Sequence, residues 1–113
     1  MKAITIKSLE TKTHPETKKL LWVVFAASKG GMTRIKIISH LREMPSNTHQ
    51  LAKALGFDYK SIQHHIRSLE RDNLITKVGK TYGAVYFPSV LFEDGEEIFD
   101  EIVSKLKKEG DRN

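Results

Sequence analysis

Apolar residues recur at three- and four-residue intervals through most of this chain, and between Leu74 and Phe87 the interval shortens to two. The first pattern predicts amphipathic helices and the second predicts strands. In "THPETKKLLWVVFAASKGG" Thr13 is placed to cap a helix, Glu16 to reach back to it, and Pro15 to sit in the first turn, where a missing N–H costs little. That helix, spanning 13–29, should end at Gly30-Gly31. A second follows in "MTRIKIISHLREMP", capped by Thr33, with Ile35, Ile38 and Leu41 on one stripe and Pro45 as its stop. Asn47 and Gln50 repeat the cap-plus-three spacing and open a short third helix that closes at Gly56, after which Asp58 caps the helix "YKSIQHHIRSLER". "LITKV" and "AVYF" flank "GKTYG" and predict a hairpin with a glycine-containing loop. A last helix over 94–108 carries acids in its first turn, lysines in its last, and Ile98, Phe99, Ile102, Val103 and Leu106 on one side. Residues 1–12, with the short alternation "KAITIKSL", fit either an added strand or a loose arm. The fold class is mainly α with a small β-hairpin (α+β), as one domain over 13–113.

Composition narrows this only a little. A chain of 113 residues, 39% hydrophobic and 29% charged with three prolines, is that of a single folded domain with a modest core. The longest apolar run, "LLWVVFAA", falls well short of the roughly 20 residues that span a bilayer, nothing before it reads as a signal peptide, and cysteine is absent, so a cytoplasmic protein without membrane contact is expected. Charge placement is more informative. Met1 to Pro88 holds 15 Lys and Arg against 6 acids, whereas Ser89 to Asn113 holds 4 against 8, so a polyanionic partner should meet the body and not the tail.

Two helices joined through Gly56 make a helix-turn-helix, a device that puts its second helix in the DNA major groove. Ala52 lets the helices cross closely, Gly56 suits a left-handed turn, and Leu51, Leu55, Phe57, Ile62 and Ile66 supply the inner surface. At about 100° per residue, setting Ile62 at zero puts Ile66 at about 40°, Leu69 at about −20° and His65 at about −60°, all toward the core. On that scale Lys60, Arg67, Arg71 and His64 fall between about 140° and 200°, with Gln63 at the edge near about 100° and Glu70 on the flank. A solvated face normally mixes signs, so an outward stripe of cations and hydrogen-bonding groups points to phosphates and base edges.

The stretch "QLAKALGFDYKSIQHHIRSLERDNLI" followed by "GKTYGAVYF" resembles the winged helix-turn-helix of ArsR-type transcriptional regulators, archaeal ones in particular, over roughly Met32 to Phe87. The resemblance implies a homodimeric DNA-binding domain with extra N- and C-terminal helices, the helix-turn-helix at 47–73 and the wing at 74–88. It places Tyr59, Lys60, Gln63, His64 and Arg67 at the DNA surface and His65 at the edge of the core. Arg71 on the same stripe, Asn47 and Thr48 at the start of the motif, and Lys77, Lys80 and Tyr82 on the wing complete the expected DNA-binding set. Metal-sensing relatives use cysteines on the first helix of the motif, or histidine with carboxylates on the last helix. This chain has no cysteine and its last helix no histidine, so no metal or other cofactor is expected.

Other chemistry finds little support. His64 and His65 point about 100° apart and cannot readily grip one ion. His14, His40 and His49 read as surface residues. "GKT" at Gly79 to Thr81 has Leu74 where a phosphate loop needs glycine, and no spacing suggests catalysis, so no enzyme is expected. The apolar stripe of the last helix, together with Leu20, Leu21, Val24 and Phe25 on the first, is a surplus of apolar surface that predicts a homodimer interface. Two functions stand: a sequence-specific double-stranded DNA-binding regulator, to which Gln63 and Tyr59 would bring base readout, or an architectural protein coating DNA with the same fold. Operator, regulated genes, repression or activation, and any small-molecule effector stay open.

Overall fold

The computed structural model describes residues 13–80 and 83–112, with side chains to Gly110; the expectation for residues 1–12 lies outside them. Helix α1 (Pro15–Trp22) runs into a π-helical turn (Val23–Ala27) and is followed by α2 (Gly31–Glu43), α3 (Thr48–Leu55) and α4 (Tyr59–Arg71). The antiparallel strands β1 (Ile75–Val78) and β2 (Val85–Pro88) come next, then α5 (Val90–Asp94) and α6 (Glu96–Arg112). The architecture is mostly helical with one two-stranded hairpin, as the periodicity predicts.

The caps of α3 and α4 are those expected. Asn47 and Gln50 form a reciprocal capping box, and Asp58 Oδ2 accepts from the Ser61 amide at 3.0 Å. Gly56, at φ +74°, closes α3 in the left-handed region and turns the chain into the second helix of the motif. Met44 is extended ahead of Pro45, which ends α2.

Two other caps differ from the prediction. The α1 cap is His14, whose Nδ1 accepts from the Glu16 amide at 3.1 Å, because the Thr13 hydroxyl instead donates to the Asp94 carbonyl at 3.2 Å. The α2 cap is Gly30, at φ +89°, and Thr33 lies inside the helix. A residue with a side chain would be strained at Gly30, and its Cβ would lie 2.8 Å from Cε1 of His65.

A short helix that the periodicity did not predict precedes the last one. Ser89 caps the short α5, and the break falls at Gly95, where a Cβ would press on Leu21. Between α4 and the hairpin, Asn73 takes a left-handed conformation and the Leu74 amide bonds to the Leu69 carbonyl, which turns the chain sharply into β1. The hairpin pairs Ile75 with Pro88, Thr76 with Phe87, Lys77 with Tyr86 and Val78 with Val85. Its base is tied to the loop before α3 by the Tyr86 amide, which donates to the Ser46 carbonyl at 2.9 Å.

The core corrects the expected dimer stripe. Leu21, Val24, Phe25, Phe99 and Ile102 are buried inside the chain itself. Phe99 meets both Phe25 and Phe92 edge to face, with ring centroids 5.0 Å apart in each pair. The chain end folds back so that α6 and the α1 π-turn cover one another, and each such side chain gains about 1.5–3 kcal/mol by burial. Only the margins of the stripe, at Leu20, Ile98, Val103 and Leu106, remain half-buried. Arg42 on α2 ties α6 down from outside through Glu96 and Asp100, each at 2.9 Å.

Candidate nucleic-acid interface

Helix α4 divides as its periodicity requires. Ile62, Ile66 and Leu69 are buried with His65 beside them, while Tyr59, Lys60, His64, Arg67 and Arg71 are exposed and Gln63 is half-buried at the boundary. The neighbouring histidines therefore have separate surroundings: His64 stands in solvent and His65, at 9% exposure, lies under the helix. Burial first, then the Arg34 guanidinium and His64, lower the His65 imidazole from its ordinary value of 6.5.

Between α3, α4 and the hairpin lies an open cleft of about 790 Å³. Among the expected DNA-binding residues it brings together Asn47, Thr48, Tyr59, Gln63, Arg67 and Lys77. Lys60, His64 and Arg71 stand on the exposed face of α4 but outside the cleft, and Arg71 Nη2 donates to Ser68 Oγ at 3.2 Å. Lys80 is exposed at the tip of the hairpin, and Tyr82 lies outside the described residues.

Two expected contact residues have local duties. Asn47 uses its side-chain oxygen to cap α3, and Thr48 is nearly buried, facing the Tyr86 phenol across the cleft floor. Burial raises the Tyr86 phenol above its usual range; the Glu70 carboxylate adds to this and Thr48 acts against it.

The cleft also contains residues that the sequence reading left out. His49 sits edge-on to Tyr59 with ring centroids 5.9 Å apart, and Tyr86 forms part of the floor. His49 lies in the first turn of the leading helix of the motif, and that position was its only signal. Glu70, assigned to the flank, lines the cleft as well and puts one carboxylate at an otherwise cationic site. Among the described residues no group of three or more His, Cys, Asp or Glu is placed to hold a metal ion, and no helix is long and apolar enough to cross a membrane.

The sequence profile of the family described as "Methanogenesis regulatory protein FilR1, N-terminal domain" matches residues 24–85, more than half of the chain. The chain belongs to this family. The match runs from the α1 π-turn through the helix-turn-helix to the start of β2, so it holds every cleft residue named above except Tyr86. No curated protein matches the chain in sequence.

Solved structures of winged-helix transcriptional regulators share the fold of this FilR1-type domain. The regulator HlyU from Vibrio vulnificus CMCP6 is 18% identical, with 91% of this chain and 96% of that one covered and a TM-score of 0.57. The transcriptional regulator SlyA is 14% identical, with 96% and 72% covered and a TM-score of 0.57. Lactococcus lactis ZitR, solved in complex with DNA, is 14% identical, with 80% and 66% covered and a TM-score of 0.50. At these identities the likeness is one of fold.

Proposed function

We propose that this FilR1-type domain is a sequence-specific double-stranded DNA-binding transcriptional regulator of ArsR-like kind, acting in the cytoplasm as a homodimer. The observation that carries the reading is the outward face of α4: Lys60, His64, Arg67 and Arg71 stand together without an acid, beside a cleft edged by Tyr59 and Gln63. A helix set in the major groove with that face outward presents cations to phosphates and an amide to base edges. Gln63 suits bidentate pairing with adenine, and Arg67 suits guanine or a phosphate. Lys77 and Lys80 lie on the hairpin, where a wing follows the flanking backbone, and Tyr82 is kept in the proposed DNA-binding set on its sequence position alone. Asn47 holds the start of α3, and Thr48 shapes the cleft floor. Glu70 at the cleft wall repels phosphate there and restricts which approach of the duplex is favourable. The DNA complex of ZitR, a fold relative, agrees with a duplex as partner.

An architectural role remains as a second reading, because the basic excess of the body would attract any duplex. The two part on base readout. Selection of bound fragments from random duplex DNA, at near-physiological salt, is expected to enrich a defined motif, and Gln63→Ala is expected to relax preference at one position of it. Binding without any enriched motif would select the coating protein instead.

A further inference from the structure

Arg34, on α2, is 7% exposed and yet takes part in no ion pair among the described residues. Buried arginines ordinarily pair with a carboxylate. This one spends its guanidinium on three other groups: Nε donates to the Val24 carbonyl at 3.1 Å, Nη2 to the Lys29 carbonyl at 3.4 Å, and Nη1 lies 3.2 Å from Nδ1 of His65. Val24 belongs to the π-turn, Lys29 to the α1–α2 loop and His65 to α4, so one side chain joins three elements. The Val23 carbonyl in the same turn accepts from the Ser28 hydroxyl. Gly30 closes the joint from the side, since only a residue without Cβ can approach the His65 ring so closely.

A guanidinium has no acceptor, so its bond to Nδ1 requires that nitrogen to accept. His65 is therefore neutral and carries its proton on Nε2. The next residue in sequence is Ile66, in the core, and the preceding one is His64, on the DNA face, so the roll of α4 about its axis is keyed to the position of the imidazole. We propose that Arg34 and His65 are positioning residues for DNA recognition, locking the roll of α4 against the α1 π-turn, and that protonation of His65 opens the lock. The proposal rests on α4 being the recognition helix.

Protonation would put an N–H donor against a donor and a cation against a cation. The charged groups around His65 are Arg34 from α2 and His64 from α4 itself, with Asp72 after the end of α4 attracting Arg34; the α1–α2 loop contributes the Lys29 carbonyl and Gly30. The sign follows from the depressed value of His65. Above about 6.5 the imidazole is neutral whether locked or released, and pH has no effect through it. Below that, the released form takes a proton that the locked form refuses, and the lock weakens as pH falls. Any other positive charge that the protein gains as pH falls acts in the opposite sense, since it favours DNA.

His65→Asn separates the two effects: its amide oxygen stands near the position of Nδ1 and never protonates. Affinity for a fixed duplex should be measured for the full wild-type chain and for His65→Asn between about pH 7.5 and pH 5.5. The wild type is expected to lose about fivefold or more relative to the variant over that range. Nitrogen-15 spectra of the wild-type imidazole, which need no variant to fold, are expected to show the Nε2–H tautomer at neutral pH and a protonation displaced below that of free imidazole, in step with the loss of affinity. Parallel affinity profiles, an Nδ1–H tautomer, or a His65 that titrates like free imidazole would each overturn the lock. A wild type that binds no duplex even at neutral pH would sink the proposed function instead, and the spectra would still decide the joint.

Discussion

Lys60 and Arg67 stand on the face of α4 opposite Ile62 and Leu69, so truncating either removes charge from the surface and nothing from the core. Lys60→Ala and Arg67→Ala are expected to leave the melting temperature nearly unchanged and, if each meets a phosphate, to lower the salt slope of DNA binding by about one unit apiece. Unchanged affinity of both variants at low salt would remove α4 from the interface. The two glycines at positive φ test the backbone in the same local terms. Gly56 faces open space, so Gly56→Ala costs only the left-handed conformation, about 1–2 kcal/mol. Gly30→Ala adds a collision with His65 and is expected to be the more destabilising of the two in chemical denaturation. The inside and outside of α4 could be read from the sequence because one rotation per residue decides them. That Thr48 turns inward and Glu70 lines the cleft could not, because both depend on where the hairpin docks, which Ser46 and Tyr86 set through a bond across some forty positions.

Among the elements, helix starts separate local from distant causes. Asn47 and Asp58 cap α3 and α4 through residues three positions away, and their spacing alone predicted it. Thr13 has the same spacing to Glu16 but is taken by Asp94, 81 positions along the chain. The cap of α2 moved to Gly30 because the loop must pass under His65. The π-turn had no signature at all in the apolar pattern, which reads Val23 to Ala27 as plain helix; two of its carbonyls are taken by Ser28 and by Arg34, residues on the loop and the next helix. Asn47→Ala and Asp58→Ala are each expected to cost about 1 kcal/mol, a fall of roughly 4–8 °C in melting temperature for a small domain. Calorimetry on the two variants checks this, and an unchanged melt would mean that the caps are replaced by solvent at no loss.

For the whole molecule, the proposed homodimer turns on the helices outside the helix-turn-helix. The sequence suggested that α1 and α6 have too much apolar surface for one chain, and burial shows that most of it closes the chain's own core. What remains for a partner is the margin: Leu20, Ile98, Val103 and Leu106, half-buried, with Val23 48% exposed beside Trp22 on the end of α1. A two-fold dimer through that margin sets the same residues against themselves, as an isologous interface requires, and offers both α4 faces to one duplex. It would read an inverted repeat with half-sites about one helical turn, 10–10.5 bp, apart. The test must avoid the core. Ile102 is fully buried, so a charge there would unfold the chain and say nothing of assembly. Val103→Glu and Leu106→Glu place the charge on the margin instead, and each is expected to leave the helical circular dichroism intact while shifting sedimentation at micromolar concentration from twice the chain mass to one. DNA affinity should fall with it, because a monomer holds one half-site and loses the effective concentration that the second contact enjoys. A wild type that sediments as a monomer, or charged variants that remain dimers, would move the interface off α1 and α6 altogether.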